Sequence, residues 1–347
     1  MNAHSQPWSI DPEAFPADGF AADQLEFLLG YAILAPSTHN TQPWQFRINA
    51  MDVELFADWS RRLGVVDPQG RELVMSCGAA LFNLRVAAEY FEKGWRLEPF
   101  PDPAQPTLLA RFHLGLEAET SSEDVLLFQA ITQRHTNRGP FRLDPLPDEL
   151  IESCITTAQQ EGAWFMLADT DDTREALADL VAEADRQQWA HHAFRHELAQ
   201  WLRTKPGTTP DGIPVQNLGV QDWLSFAGPS IVRTFDRGKG QAARDREIAL
   251  HSPALVVLGT ERDDPAAWLA AGQALQAVLL RARSEAVWAS FLCQPLEVPE
   301  LREQVAAMCG QPHPQIILRL GYGEKADPTP RRGIRSVLLP QPEAHHA

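Results

Sequence analysis

Two distant stretches of the chain repeat one pattern. "CGAALFNLRVAAEYFEKGW" begins at Cys77 and "AGQALQAVLLRARSEAVW" at Ala271; superposing them sets Gly78 opposite Gly272 and Leu81 opposite Leu275. In the first, Cys77, Ala80, Leu81, Leu84, Ala87, Ala88 and Phe91 recur at helical spacing along one face. Each stretch is followed by a strand-like run, "RFHLGL" or "ILRLGYG", and lies downstream of a tryptophan, Trp44 or Trp164, that opens another. An amphipathic helix flanked by strands cannot bury its apolar face alone, whereas two copies can bury theirs on each other. The repeat therefore predicts an α+β chain of two tandem units forming a pseudo-two-fold intramolecular dimer.

The periodicities predict a helix over 22–34, strands over 44–48 and 53–57, a helix over 76–94 ended by Gly94, and a strand over 110–116, with "AETSSED" as a loop. The series restarts with a helix over 148–158, strands over 163–167 and 254–259, a helix over 268–286 and a strand over 315–323. The expected units are 1–125 and 126–347.

The copies differ in complementary ways. Between first helix and first strand the second copy is shorter, and the missing part falls where "PSTHNTQP" (36–43) stands in the first. Between Trp164 and Gly272 the second copy is much longer, and the gain lies mostly within about 186–250, expected to be a lid-like insertion. Arginines cluster around the second copy, in "ITQRHTNRGPF" (131–141) before it and "PTPRRGIR" (328–335) at its end. If the copies pair, one complete anion site survives, with a polar loop from one half and basic groups from the other.

Composition narrows the partners. The 347 residues carry 30 Lys and Arg against 46 Asp and Glu, a net charge of −16, which disfavours nucleic acid and anionic membrane but leaves room for a local site for a small anion. Four dispersed cysteines fit no metal spacing and suit reduced thiols. With neither a leader-like N-terminus nor an apolar run of spanning length, the expected location is cytoplasmic. Small molecules are the expected partners, and the expected state is a monomer or weak homo-oligomer.

Three rival motifs fail on their surroundings. "GYGEKA" follows a strand, but Pro328 and Pro330 prevent a helix from opening to receive a pyrophosphate. His192 and His196 are spaced for zinc but lack a third ligand, so no metal is expected. Cys77 at a helix start has the apolar neighbours of a core residue.

On "APSTHNTQPWQF", "RHTNRGPF", "SCGAALFNLR", "WLAAGQALQAVLLRA" and "GYG…PTPRR" the chain resembles the nitroreductase superfamily of FMN proteins, and within it the Acg-like branch in which two such units are fused. In homodimeric members FMN lies in the dimer interface. The resemblance implies that Arg134, His135, Thr136 and Arg138 take the phosphate and ring edge, that Pro36, Ser37, Asn40 and Gln42 cover the ring, and that Arg331 and Arg332 close on the phosphate. It also implies that Ser290 and Phe291 face flavin N5, where relatives usually carry a glycine that "EAVWAS" lacks. Arginine's forked, permanent charge suits a phosphate, and Arg138 is the candidate to stabilise charge on a reduced flavin.

Two functions share that site. The first is NAD(P)H-dependent reduction of a nitroaromatic or quinone-type acceptor through one FMN, with NADPH or NADH as reductant and no side-chain nucleophile. The second is storage or sequestration of FMN beneath the insertion. The breadth of the superfamily's chemistry tips the expectation towards the enzyme. A third reading, in which the pairing only buries surface, leaves the arginine clusters unexplained.

Overall fold

The structure, a computed structural model, describes residues 6–204, 209–215 and 238–341. The first half runs α1 (Ala21–Ala32), β1 (Trp44–Asn49), β2 (Asp52–Ala57), α2 (Arg71–Tyr90), β3 (Lys93–Pro99) and β4 (Leu108–Glu117). After α3 (Ser122–Gln133), the second half runs α4 (Asp148–Gln160), β5 (Trp164–Leu167), α5 (Asp171–Ala190), α6 (His192–Trp201) and a short parallel pair, β6 (Leu202–Arg203) with β7 (Ile213–Pro214). It continues through α7 (Gly238–Leu250), β8 (Ala254–Gly259), α8 (Pro265–Ser284), β9 (Trp288–Phe291), α9 (Pro299–Cys309) and β10 (Pro314–Gly321).

Two four-stranded antiparallel sheets result, in the orders β1-β2-β4-β3 and β5-β8-β10-β9. Numbered within its own half, each sheet has the same order, first, second, fourth, third. Trp44 and Trp164 open the equivalent strands β1 and β5.

The helices α2 and α8 cross at the two superposed glycines. A Cβ on Gly78 would run into the Leu269 carbonyl and lie 3.1 Å from the Gly272 Cα, and one on Gly272 would run into the Met75 carbonyl. Small residues let the backbones touch, and the buried amides of Asn83 and Gln276 then bond across the crossing at 2.7 Å. The largest apolar core surrounds this contact and draws on both halves.

Several boundaries move for local reasons. The helix expected over 76–94 starts at Arg71, because Gly70 turns left-handed (φ 76°) and the Asp67 carboxylate accepts from the Leu73 amide. It ends near Tyr90; Gly94 belongs to β3, where a Cβ would press on the Leu116 carbonyl. "AETSSED" is a loop only as far as Ser121, which begins α3 with a reciprocal capping box to Asp124. The unit junction expected at 125/126 falls inside that helix. The insertion is also longer than read. β1 and β2 form a tight hairpin, while the equivalent β5 and β8 are separated by 168–253, so α5 belongs to it with α6 and α7. Of this connection, 205–208 and 216–237 lie outside the described residues. No described helix is long and apolar enough to cross a membrane.

Candidate functional site

The loop between α1 and β1 is built against its own backbone preferences. His39, Asn40 and Gln42 all have positive φ (53°, 54° and 51°), an uncommon conformation for residues with side chains. Contacts from elsewhere hold it. Asn40 Oδ1 accepts from Arg331 Nη1 at 2.9 Å, and Asn40 Nδ2 donates to the carbonyls of Gly212 (2.9 Å) and Pro330 (3.0 Å). Gln42 Nε2 donates to the Pro210 carbonyl at 2.8 Å and its Oε1 accepts from the Arg332 amide at 2.7 Å. The first-half loop is thus pinned by the chain end on one side and by the long connection on the other.

Two arginines of distant sequence meet at the end of α1. Arg134 Nη2 (3.3 Å) and Arg331 Nη2 (3.1 Å) both donate to the Leu34 carbonyl, and Arg331 also reaches that of Ala35 (3.0 Å). A helix C-terminus presents unpaired carbonyls and partial negative charge, which favours cations there. Trp8 roofs the cluster, with the Arg331 guanidinium 4.7 Å from its ring centre and the His135 ring edge-on at 4.5 Å.

The segment after α3 reaches the second sheet. Thr136 bridges to Ala289, and the Asn137 amide donates to the Ala289 carbonyl, which sets this segment beside Ser290 and Phe291 on β9. Arg319, buried in β10, donates to the carbonyls of Asn137 (3.1 Å) and Gly139 (2.9 Å), gripping the backbone on both sides of Arg138.

These elements enclose a cavity of about 500 Å3. Of the residues expected at the site, Pro36, Ser37, Asn40, Arg134, Thr136, Arg138, Ser290, Phe291 and Arg331 line it. Gln42, His135 and Arg332 do not. Gln42 is spent on loop contacts, His135 packs on Trp8, and Arg332 turns to the carbonyls of Gln42 (3.1 Å) and Ser336 (2.7 Å). Sequence reasoning missed His39, Glu72, Asp185, Gln188, Asp245, Glu297 and Arg319, which also line the cavity. Arg319 alone left a signal, as a lone charge inside the apolar run "QIILRLG". The others are brought in by helices whose apolar pattern says nothing about this cavity.

The electrostatics are lopsided. Arg134, Arg138, Arg319 and Arg331 form no ion pair among the described residues. Burial pushes Arg134 and Arg319 down to about 10, and lowers Arg138 and, strongly, Arg331. Asp245 only partly offsets this at Arg138 and Arg319. Guanidinium nitrogens are left over: Nε of Arg134 and Arg331, and both Nε and Nη1 of Arg319, are buried without a partner. Burial followed by Arg138 pushes His39 down to about 4, so its ring is neutral at pH 7. Three buried cations and the half-buried Arg138, none with an ion-pair partner among the described residues, are costly around one cavity unless an anion joins them, and the three buried ones each keep an unpartnered N–H. The donor set fits a phosphate or another delocalised anion.

The neighbouring motifs take structural roles. Cys77 is buried, its thiol raised by desolvation and bonded to the Pro43 carbonyl. His192 and His196 are exposed on α6. After "GYG" the described chain forms no helix until the short turn at Ile334–Ser336.

The chain is similar to known proteins. Residues 131–322 match the family model described as the nitroreductase family. Mycobacterium tuberculosis Rv3131, named as a candidate NAD(P)H nitroreductase, is 32% identical over 332 residues, covering 91% of each chain. The Acg protein of the same organism, named likewise, is 31% identical over 332 residues, covering 93% of this chain and 97% of its own. Among solved structures, the FMN- and NADPH-dependent nitroreductase NfnB from Sphigopyxis sp. strain HMH superposes with a TM-score of 0.41 at 18% identity, covering 62% of this chain and 99% of its own.

Proposed function

The chain belongs to the nitroreductase family, and from that premise we propose that it is an FMN-binding oxidoreductase with one cofactor site per chain, reducing a nitroaromatic or quinone-type acceptor at the expense of NADPH or NADH. The observation that carries this reading is the cluster of buried guanidiniums without carboxylate partners around a cavity that also holds the Pro36–Asn40 loop. When bound, FMN supplies two-electron hydride chemistry that no side chain here offers.

The chain's own residues supply binding and charge. Arg134 and Arg319 keep unpartnered N–H groups and Arg138 has no ion-pair partner among the described residues, so these three would hold the phosphate and the electron-rich edge of the ring. Arg331 gives both Nη groups to the loop and acts mainly by fixing it. Ser37, Thr136, Ser290 and Phe291 offer hydroxyl and backbone groups at the wall. Neutral His39, whose Nε2 is buried without a partner, offers a hydrogen-bonding group there without adding positive charge.

We read the matching sheet orders and the glycine-on-glycine crossing as two tandem units, about 1–125 and 126–347 with their junction near α3, in which each half kept a different part of one site. We take the chain to be a cytoplasmic monomer or weak homo-oligomer that acts on small molecules.

The second reading, storage of FMN, is favoured by one feature. The Asp211 carboxylate pairs with both Arg61 and Arg203 (the latter at 2.9 Å), and Glu197 accepts from the amides of Val65 (2.9 Å) and Val66 (3.1 Å). The connection is thereby fastened to the first half like a closed lid. Protein reconstituted with FMN and freed of unbound cofactor tests both readings. A colourless product rejects both. Bleaching on anaerobic mixing with NADPH or NADH at a catalytic rate supports the enzyme, and a yellow colour that only dithionite discharges supports storage.

A further inference from the structure

A second set of polar groups lines the same cavity and has the opposite chemistry. Asp185 and Gln188 lie one turn apart on α5, Asp245 comes from α7, and Gln294 and Glu297 follow β9. Gln294 Nε2 is 3.1 Å from Asp245 Oδ2 and 3.4 Å from Asp185 Oδ1, so one amide draws two carboxyls together. Gln188 Nε2 donates to Glu297 Oε2 at 2.6 Å. Two acceptors are left over: Asp185 Oδ2 and Gln188 Oε1 have no hydrogen-bond partner, in residues only 2% and 8% exposed.

The carboxyls are not equally committed. Glu72 has Arg71 at 2.9 Å, and Asp245 lies in the field of Arg138, Arg319 and Arg244. Asp185 and Glu297 form no ion pair among the described residues. Beside them stand Trp189, Phe194 and Leu198, an apolar wall built by the long connection. Buried acceptors without donors carry a desolvation cost that a bound proton relieves in part, as where Asp185 and Asp245 share one, and that an incoming donor relieves more fully. Next to an apolar wall, the ligand that satisfies them has an N–H-rich head and an apolar body.

We propose that this wall is a second subsite of the cavity, which takes the primary ammonium of an amine with an aromatic or aliphatic body. The ammonium donates to Asp185, Gln188 and Glu297, and the body lies along Trp189 and Phe194. This deepens the oxidoreductase reading by giving its acceptor a cationic head, but binding of the amine needs no flavin. Burial and then Asp245 push Asp185 up to about 8, and burial and then Glu72 raise Glu297 well above its usual range. The other charged groups around the two acids are Arg186 on α5, Arg244 on α7, Arg138 and Arg319 from the second half, and Asp67 and Arg71 at the start of α2. At neutral pH, without a cation, Asp185 therefore holds its proton, and an ammonium arriving beside it displaces that proton to solvent.

Calorimetry with phenethylammonium and its neutral isostere 2-phenylethanol, on the full chain with and without FMN, tests this. The ammonium should bind at least about 10-fold tighter than the alcohol, with a heat that varies with buffer ionisation enthalpy because a proton is released. Asp185→Asn and Glu297→Gln should each weaken the ammonium about 10-fold and leave the alcohol within about 2-fold. If Asp185→Asn fails to fold, Glu297→Gln and the wild-type proton release still decide. An ammonium that binds no tighter than the alcohol, or variants that fold and bind it like wild type, overturns the proposal. Amine binding by protein that takes up no FMN would remove the flavin reading and leave the subsite; FMN uptake without amine binding would do the reverse.

Discussion

The two halves have the same strand order and carry equivalent helices at their shared core, yet they diverge between the first helix and the first strand, and again after that strand. In the first half, α1 and β1 are joined by the strained loop 33–43, and β1 turns directly into β2. In the second, α4 passes to β5 almost at once, and β5 reaches β8 only after a long connection with three helices among its described residues. The core tolerates no such variation, because Gly78 and Gly272 meet where neither has room for a methyl group. The halves are therefore alike where they touch and unlike where a ligand would lie. The first half contributes polar loop atoms, the second contributes cations, and the long connection adds acids and aromatic rings.

The sharpest break in that comparison is at the crossing. Gly78→Val and Gly272→Val should each cost about 3 kcal/mol or more by overpacking against a backbone carbonyl, read as loss of stability in urea or as insoluble protein. Equal damage at both positions would confirm their equivalence, and a tolerated valine at either would end it.

Next in size is the cation side. Arg138→Gln and Arg134→Gln each remove a charge-assisted donor and should weaken FMN uptake by roughly 10- to 100-fold in a fluorescence titration. Arg332→Gln, whose guanidinium faces away from the cavity, should change it by less than about 3-fold. Equal losses from all three would mean that the cavity does not discriminate between the arginines.

The acid side is read through pH. The folded-state value of Asp185, about 8, lies above its ordinary 3.8, so its contribution to stability is full below 3.8 and is lost as pH rises through about 8. The melting temperature should fall across that window, and Asp185→Asn should flatten the fall by on the order of a few °C. A slope unchanged in the variant would assign it to other groups.

The smallest effect concerns the fastening of the connection. Asp211→Asn weakens its pairing with Arg61 and Arg203 and should cost about 1 kcal/mol locally, seen as faster proteolytic cleavage near 203–215 with little change in global melting. An unchanged cleavage rate would mean that the Asn40 and Gln42 contacts hold this segment by themselves.

Much of this was legible because periodicity and punctuation are local. The helix starting at Asp148, the strands at Trp44 and Ala254 and the opposition of Gly78 to Gly272 follow from side-chain spacing. The start of α2 was not, since it depends on Asp67 reaching forward to cap Leu73. Nor was the full insertion, because α5 reads as any amphipathic helix until its neighbours show that a hairpin has been replaced. At the candidate site, Asn40, Arg134 and Arg331 could be named from the family motifs that their segments resemble. Gln42, His135 and Arg332 have the same character but spend it on loop bonds or ring packing, and no local pattern separates the two groups.

The sequence by itself determined the paired helices, the alternating strands and an acidic chain with arginines clustered in 131–141 and 328–335, because each depends on spacing and composition along the polymer. Only the tertiary structure decided which arginines lack a counter-charge, which carboxyls share an amide, and which acceptors go unpaired. Those are properties of distance and desolvation between residues as far apart as Leu34 and Arg331, and chain order does not encode them until the core has closed.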